Sequence, residues 1–316
     1  MVPPTLLLST PILDLLRPHL AEAYRVVGLW EASAAEAATA RAIVVGGHEP
    51  LPPGLFETCP GLGLIACFTA GYERLDLEAA RARGVLVSHA REVNQVDVAD
   101  HALGLIIASR RRIVHEDRLL RREGWLSWNR PGTLRLSHSL RGAKVGIVGL
   151  GAIGGALAVR CAALGMVVRW WGPREREAEW PRAATLLELA EWCDVLAVCA
   201  RADESNHGLI SREVLAAVGR EGLFVNVARG RLVDEDALIE LLRAGRLGGA
   251  ALDVFDPEPT TAERWEGVEN AVVTPHTAGA TVEAIQALVD QVRLNLARFF
   301  AGEALATPAP EMLRGG

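Results

Sequence analysis

The sequence has no excess of positive charge. Its 33 Lys and Arg stand against 39 Asp and Glu, a formal net charge of −6, which argues against a generally basic surface for nucleic acid or anionic lipid. It has no run of about 18 apolar residues free of charge, so no membrane span is expected. The N-terminal stretch MVPPTLLLSTPILDLL places no Lys or Arg before its apolar run and carries two early prolines, Pro3 and Pro4. It therefore reads poorly as an export leader and well as a first buried strand. Cysteine is sparse: Cys59, Cys67, Cys161, Cys193 and Cys199 form an odd set without metal-ligand spacing. They are read as reduced, mostly buried thiols, and no metal site is expected. Internal repeats and low-complexity linkers are missing too, and the expectation is a cytoplasmic protein that handles small soluble molecules.

What is present is a regular rhythm. The chain has 316 residues, half of them hydrophobic, enough for two domains with sizeable cores. Short apolar runs alternate with helical stretches: TLLLS, RAIVVGG, GLGLIACF and GVLVSH before residue 90, then KVGIVGLG, MVVRWW, DVLAVCA, GLFVNVA, GGAALDVF and NAVVTPH after residue 143. Continuous Val/Ile/Leu runs are the mark of parallel strands covered by helices on both faces. The fold class expected is α/β, with two doubly wound parallel-sheet domains of Rossmann or flavodoxin-like type. One long helix over VADHALGLIIASRRRIVHEDRLLRR is expected to bridge them. Its arginines, Arg110, Arg111, Arg112, Arg118, Arg121 and Arg122, form either an anion patch or a solvated or subunit-facing surface. A second long amphipathic helix ends the chain, with Ile285, Leu288, Val289, Val292, Leu296 and Phe299 near helical spacing.

The stretch VGIVGLGAIGGALAVRCAALG fits G-x-G-x-x-G at Gly149, Gly151 and Gly154. A strong strand precedes it and a strong helix follows, so Gly149 to Gly154, including Ala152 and Ile153, are expected on the tight turn where backbone meets a pyrophosphate. The next strand, MVVRWW, should deliver the residue that meets the adenosine ribose. A carboxylate there would repel a 2′-phosphate, but the chain has Gly172 followed by Arg174 and Arg176. An arginine fork can grip that phosphate, so NADP(H) is expected to be preferred, with NAD(H) possible. Glu175 and Glu177 lie close by, and a solvated charged loop is the alternative.

Three apolar runs near the C-terminus finish in polar residues: VNVARGRLVDEDAL, ALDVFDPEP and VVTPHTAGAT. Ligands of open parallel sheets bind beyond the carboxyl ends of the strands, so Arg229, Glu258 and His276 are expected to converge. A guanidinium can hold a 2-oxo carboxylate and polarise its ketone. An imidazolium can give a proton to the carbonyl oxygen as hydride arrives, and a carboxylate bonded to it fixes its tautomer and favours its charged form.

Those segments, with TAGYERLDLEAARARGVLVSHA, VADHALGLIIASRRRI and LRGAKVGIVGLGAIG, occur in the order found in the D-isomer-specific 2-hydroxyacid dehydrogenase family, which the chain resembles along nearly its whole length. The resemblance implies a cofactor domain, residues 98–282, inserted into a discontinuous substrate domain of residues 1–97 and 283–316. It implies that Arg229 binds substrate, Glu258 orients and His276 is the acid/base. By the same matching, N–H groups near Ala70 and Gly71 receive the substrate carboxylate, Asp253 meets the nicotinamide carboxamide and Ala228 lines its ring. Substrate would be enclosed on domain closure.

Two departures limit the carry-over. The familiar Pro-Leu-Thr segment is replaced by Ala200, Arg201 and Ala202, which leaves that loop's cofactor contacts open and makes Arg201 a candidate phosphate contact. The acid of the second strand is absent. GWLSWNRP resembles glyoxylate and hydroxypyruvate reductases, in which a tryptophan at the position of Trp128 reaches the neighbouring subunit's active site. A homodimer through the cofactor domain is expected on that ground; a core or surface tryptophan is the other reading. The favoured activity is reduction of small 2-oxo acids by NADPH. The alternative is a dinucleotide-sensing interaction protein resembling the corepressors of this fold. Formate oxidation is disfavoured, because there the family pairs its histidine with glutamine where this chain has Glu258.

Overall fold

Strand β1 (Thr5–Leu8) shows why the N-terminal run is apolar throughout: Leu6 and Leu8 feed one core and Leu7 another. A strand covered on both faces has no polar side. The computed structural model describes residues 3–47, 49–72, 74–125 and 136–313. After β1 come α1 (Arg17–Leu20), β2 (Arg25–Gly28), α2 (Ala34–Thr39), β3 (Ala42–Val45), α3 (Leu55–Thr58), β4 (Leu64–Cys67), α4 (Leu77–Ala82) and β5 (Leu86–Ser88). The five strands pair in parallel in the order β2-β1-β3-β4-β5. Strand β2 is an addition to the four expected here. Its run RVVG has only Val26 and Val27 to bury, and it lies at the sheet edge beside β1, so its hydrophobic signal is weak.

The second unit, Asn94–Ala280, contains α5 (Gln95–Arg110), α6 (Ile113–Glu123), β6 (Lys144–Val148), α7 (Ala152–Ala163), β7 (Val167–Trp171), α8 (Leu186–Trp192), β8 (Val195–Val198), α9 (Arg212–Val218), β9 (Leu223–Asn226), α10 (Glu235–Arg243), β10 (Gly249–Leu252) and β11 (Ala271–Val273). The chain then forms α11 (Val282–Ala301), whose Leu288, Val289, Val292 and Leu296 share a core with Leu6, Leu8, Val44 and Leu64 of the first unit. The second sheet is parallel, in the order β11-β10-β9-β8-β6-β7. A single parallel bridge between Trp170 and Arg182 continues it beyond β7. Counted along the chain, the winding is therefore 3-2-1-4-5-6 with β11 added, and its direction reverses between β6 and β8. Two doubly wound parallel sheets were the fold expected, and that expectation holds.

The expected bridging helix is corrected. It is two helices, broken at Arg111 and Arg112, where Arg112 adopts a left-handed φ of 56°. The physical reason lies in burial: Val98, Ala99, Ala102, Leu105 and Ile106 of α5 pack with Leu157, Ala158 and Cys161 of α7, whereas no described residue of α6 is buried. The apolar face ends before the arginines do, and nothing holds the second half in line with the first. On α6 the charges pair locally, Arg112 with Glu116 at 3.4 Å and Arg121 with Asp117 at 2.9 Å. The cysteines are all free thiols, and burial pushes those of Cys161, Cys193 and Cys199 up to about 12. They are protonated at neutral pH and are not nucleophiles.

Candidate active site

The glycine-rich turn is built from steric necessity. Gly149, at the end of β6, has φ of 91°, and a Cβ there would stand 2.6 Å from Cα of Ala200 on the loop after β8. A Cβ on Gly154 would lie 2.1 Å from the carbonyl oxygen of Gly149, so α7 can approach the strand only without one. Gly151 differs: a Cβ there meets nothing within 4 Å. It caps α7 without a side-chain hydrogen bond, which leaves the first helical N–H groups, from Ala152, Ile153 and Gly154, turned toward open space. Two glycines thus allow the close packing and the third leaves room for a ligand's pyrophosphate to come up to the backbone.

At the end of β7 the expected phosphate residues divide. Gly172 lacks a carboxylate, as the sequence shows, and a Cβ on it would meet the Trp170 ring at 3.2 Å. The Arg176 guanidinium donates to the carbonyl oxygen of Leu150, inside the glycine-rich turn, and Arg174 is exposed. No sequence pattern marks Arg182, whose Nη2 donates to the Gly172 carbonyl oxygen at 2.8 Å. WPRAATLL reads as loop, and a one-residue bridge has no periodicity to find.

The catalytic candidates stand at the carboxyl ends of three neighbouring strands, β9, β10 and β11. Arg229 follows β9 in extended backbone and begins the turn Gly230–Leu232. Buried Asn226 holds this turn, its Oδ1 accepting from Ala228 N–H at 3.0 Å and its Nδ2 donating to the Arg229 carbonyl oxygen at 2.9 Å. Ala228 itself is buried, and its carbonyl oxygen accepts from Arg229 Nη1 at 2.7 Å. A Cβ on Gly230 would fall 1.9 Å from the Phe255 carbonyl carbon, so the Arg229 turn is seated directly on the backbone after β10. Gly230→Ala is expected to cost on the order of 1–3 kcal/mol and to lower activity by displacing Arg229. Denaturation midpoint and kcat measured together check this.

Glu258 and His276 are brought together. His276 Nδ1 lies 2.8 Å from Glu258 Oε2, while Oε1 accepts from the Phe255 N–H at 2.9 Å. The carboxylate is therefore fixed on both oxygens, and as an acceptor it selects the tautomer with the ring proton on Nδ1. The His276 side chain is 31% exposed and that of Glu258 34%, enough to reach a substrate. His276 has a left-handed φ of 54°, and buried Asp253 fixes the backbone around it. The Asp253 carboxylate accepts from Thr274 Oγ1 at 2.6 Å, Thr277 N–H at 2.9 Å and Ala278 N–H at 2.9 Å. The His276 N–H donates to the Asp253 carbonyl oxygen at 2.8 Å. A carboxylate has about four acceptor directions, and three of them are filled here. His101 of α5 closes this network, its Nε2 lying 3.0 Å from Thr274 Oγ1. Asn226, Thr274 and His101 are additions to the expected set. In the sequence the first two merely close apolar runs, and His101 lies on α5 with nothing to single it out.

In the first unit, Ala70 and Gly71 lie in the loop after β4. Their carbonyl oxygens are engaged, that of Ala70 with His89 Nδ1 at 3.2 Å and that of Gly71 with Thr69 Oγ1 at 2.8 Å. Among the described residues their N–H groups donate to no acceptor. Trp128 lies outside the described residues. Among the described residues no helix is long and apolar enough to cross a membrane.

Comparison with known proteins agrees with this geometry. Residues 103–278 match the model of the D-isomer specific 2-hydroxyacid dehydrogenase, NAD binding domain. A glyoxylate/hydroxypyruvate reductase of Arabidopsis thaliana is 35% identical over 273 residues, 86% of this chain and 84% of the relative. Among solved structures, a 2-hydroxyacid dehydrogenase from Ketogulonicigenium vulgare Y25 superposes with a TM-score of 0.90 at 33% identity, covering 98% of this chain and 99% of that one. An NADPH-dependent glyoxylate/hydroxypyruvate reductase from Sinorhizobium meliloti, in complex with NADP and malonate, superposes with a TM-score of 0.87 at 34% identity, covering 98% and 97%.

Proposed function

This chain belongs to the D-isomer-specific 2-hydroxyacid dehydrogenase family, and from that premise we propose that it reduces small 2-oxo acids, glyoxylate and hydroxypyruvate foremost, to D-2-hydroxy acids with NADPH. The observation that carries the proposal is the 2.8 Å contact between His276 and Glu258, one strand away from the turn of Arg229. A reduced nicotinamide, when bound, supplies the hydride. The residues of the chain do the rest. Arg229 holds the substrate carboxylate and polarises the ketone. His276 donates a proton from Nε2 to the carbonyl oxygen, and Glu258 keeps the ring in place while it does so.

The cofactor's course follows from the sheet. The edge from β7 to β10 spans four strand spacings, about 19 Å at roughly 4.8 Å each, room for an extended dinucleotide. Gly149, Gly151 and Gly154 receive its pyrophosphate, Gly172 leaves its 2′ position unopposed, Ala200 and Ala228 border it, and Asp253 takes the carboxamide. The assembly proposed is a homodimer through the second unit. The relatives above are named reductases and dehydrogenases, which gives the corepressor-like reading no support. The deciding measurement is steady-state turnover of glyoxylate, hydroxypyruvate and bulkier 2-oxo acids with each reduced cofactor. A higher kcat/KM is expected with NADPH than with NADH, and a clear reversal removes the NADPH part of the proposal.

A further inference from the structure

We propose that Arg182 is a specificity-determining residue that grips the 2′-phosphate of NADPH, an inference that rests on the NADPH reading above and assigns its recognition to a residue outside the glycine-rich turn and the loop that follows β7. Arg182 is held as a one-residue strand beside β7. Trp170 N–H donates to Pro181 O at 3.1 Å, Ala183 N–H donates to Trp170 O at 2.8 Å, and Trp170 Nε1 donates to Trp180 O at 3.1 Å. From this fixed base the guanidinium passes the Trp170 ring, 5.8 Å from its centroid, and Nη2 reaches the Gly172 carbonyl oxygen at 2.8 Å. Gly172 is the position at which an NAD-selective chain would present its ribose-binding carboxylate. The cation is thus placed where the 2′ substituent of the ribose would be met.

The guanidinium has donors to spare. Among the described residues its buried Nε has no hydrogen-bond partner, and a buried donor left unpaired is costly. Among the described residues its carboxylate neighbour is Glu175 at 3.6 Å, on a side chain 91% exposed, a pairing worth little in water. A phosphate offers three acceptor oxygens to a planar fork, the geometry that arginine suits and a lone ammonium does not. The absence of a side chain at Gly172 matters for the same reason: an acid there would face Arg182 and neutralise it. Arg176 is already committed to Leu150, and exposed Arg174 has no comparable support.

The test compares the full-length wild type with Arg182→Gln, Arg182→Lys and Arg176→Gln, by kcat/KM with NADPH and NADH, inhibition by adenosine 2′-monophosphate and 5′-monophosphate, and thermal melting. For Arg182→Gln, kcat/KM with NADPH is expected to fall about 10- to 100-fold, the loss of a charge-assisted pair. The NADH value should fall far less. Inhibition by the 2′-monophosphate should weaken in parallel with the NADPH loss, and the 5′-monophosphate should lose little. Arg182→Lys, which keeps the charge without the fork, is expected between wild type and Gln. Arg176→Gln should change the NADPH-to-NADH ratio less than Arg182→Gln. An unchanged ratio in Arg182→Gln, with a wild type that prefers NADPH, overturns this inference and leaves the cofactor reading standing. Equal loss with both cofactors in both Arg182 variants, accompanied by lower melting temperatures, also overturns it, because the residue is then structural. A wild type that prefers NADH overturns the cofactor reading itself, before any variant is made.

Discussion

His276→Ala is expected to lower kcat for glyoxylate reduction about 10²- to 10⁴-fold, the range contributed by a positioned general acid, with little change in the dissociation constant of NADPH. The separation of the two effects comes from the sheet. His276 stands after β11 at one edge, whereas the glycine-rich turn follows β6, four strands away in the order β11-β10-β9-β8-β6. The truncation leaves the main-chain anchors untouched, since Asp253 binds Thr277 and Ala278 through their N–H groups. It also leaves Glu258 with its Phe255 partner, so the loop should hold its shape. Single-turnover absorbance at the nicotinamide band reads the chemical step, and fluorescence titration reads cofactor binding. Wild-type turnover in this variant would remove the proton-donor role. A variant that no longer binds NADPH would show instead that the histidine supports the cofactor.

Most of the second unit could be read from its residues, and the reasons differ by element. Its four inner strands, β6, β8, β9 and β10, were legible because they are buried on both faces: along β8, Val195 and Ala197 enter one core and Leu196 and Val198 the other. The glycine-rich turn was legible because steric demands at Gly149 and Gly154 leave a fixed spacing in the sequence. Arg229, Glu258 and His276 stood out only as polar ends of apolar runs; the fold supplies what makes Glu258 and His276 a pair. The break at Arg112 was hidden, because a helix ends where packing stops, and the periodicity of VADHALGLIIASRRRI carries no record of what it packs on. Arg182 was hidden for a related reason. Its place depends on main-chain bonds to Trp170, and a single bridging residue leaves no alternation. The network through His101 and Thr274 joins residues 173 positions apart, a distance at which local pattern says nothing.

The other large effect is expected at Arg229, and its signature should differ from that of His276. Two charge-assisted hydrogen bonds from one guanidinium, at about 1.5–3 kcal/mol each, correspond to a loss in kcat/KM of roughly 10²- to 10⁴-fold in Arg229→Ala. Arg229 is proposed to hold the carboxylate in the ground state and to steady the carbonyl oxygen as charge develops there. KM for the oxo acid should therefore rise while kcat falls, whereas His276→Ala acts chiefly on kcat. Arg229→Lys keeps the charge without the planar fork, so part of the loss should persist. Neither substitution should unfold the protein, because Asn226 and the seat of Gly230 on Phe255 hold the turn whatever side chain follows Ala228. Unchanged melting temperature with collapsed kcat/KM is the expected pair of results. Undiminished kcat/KM in Arg229→Ala would mean that the carboxylate is held elsewhere, and would remove Arg229 from the substrate site.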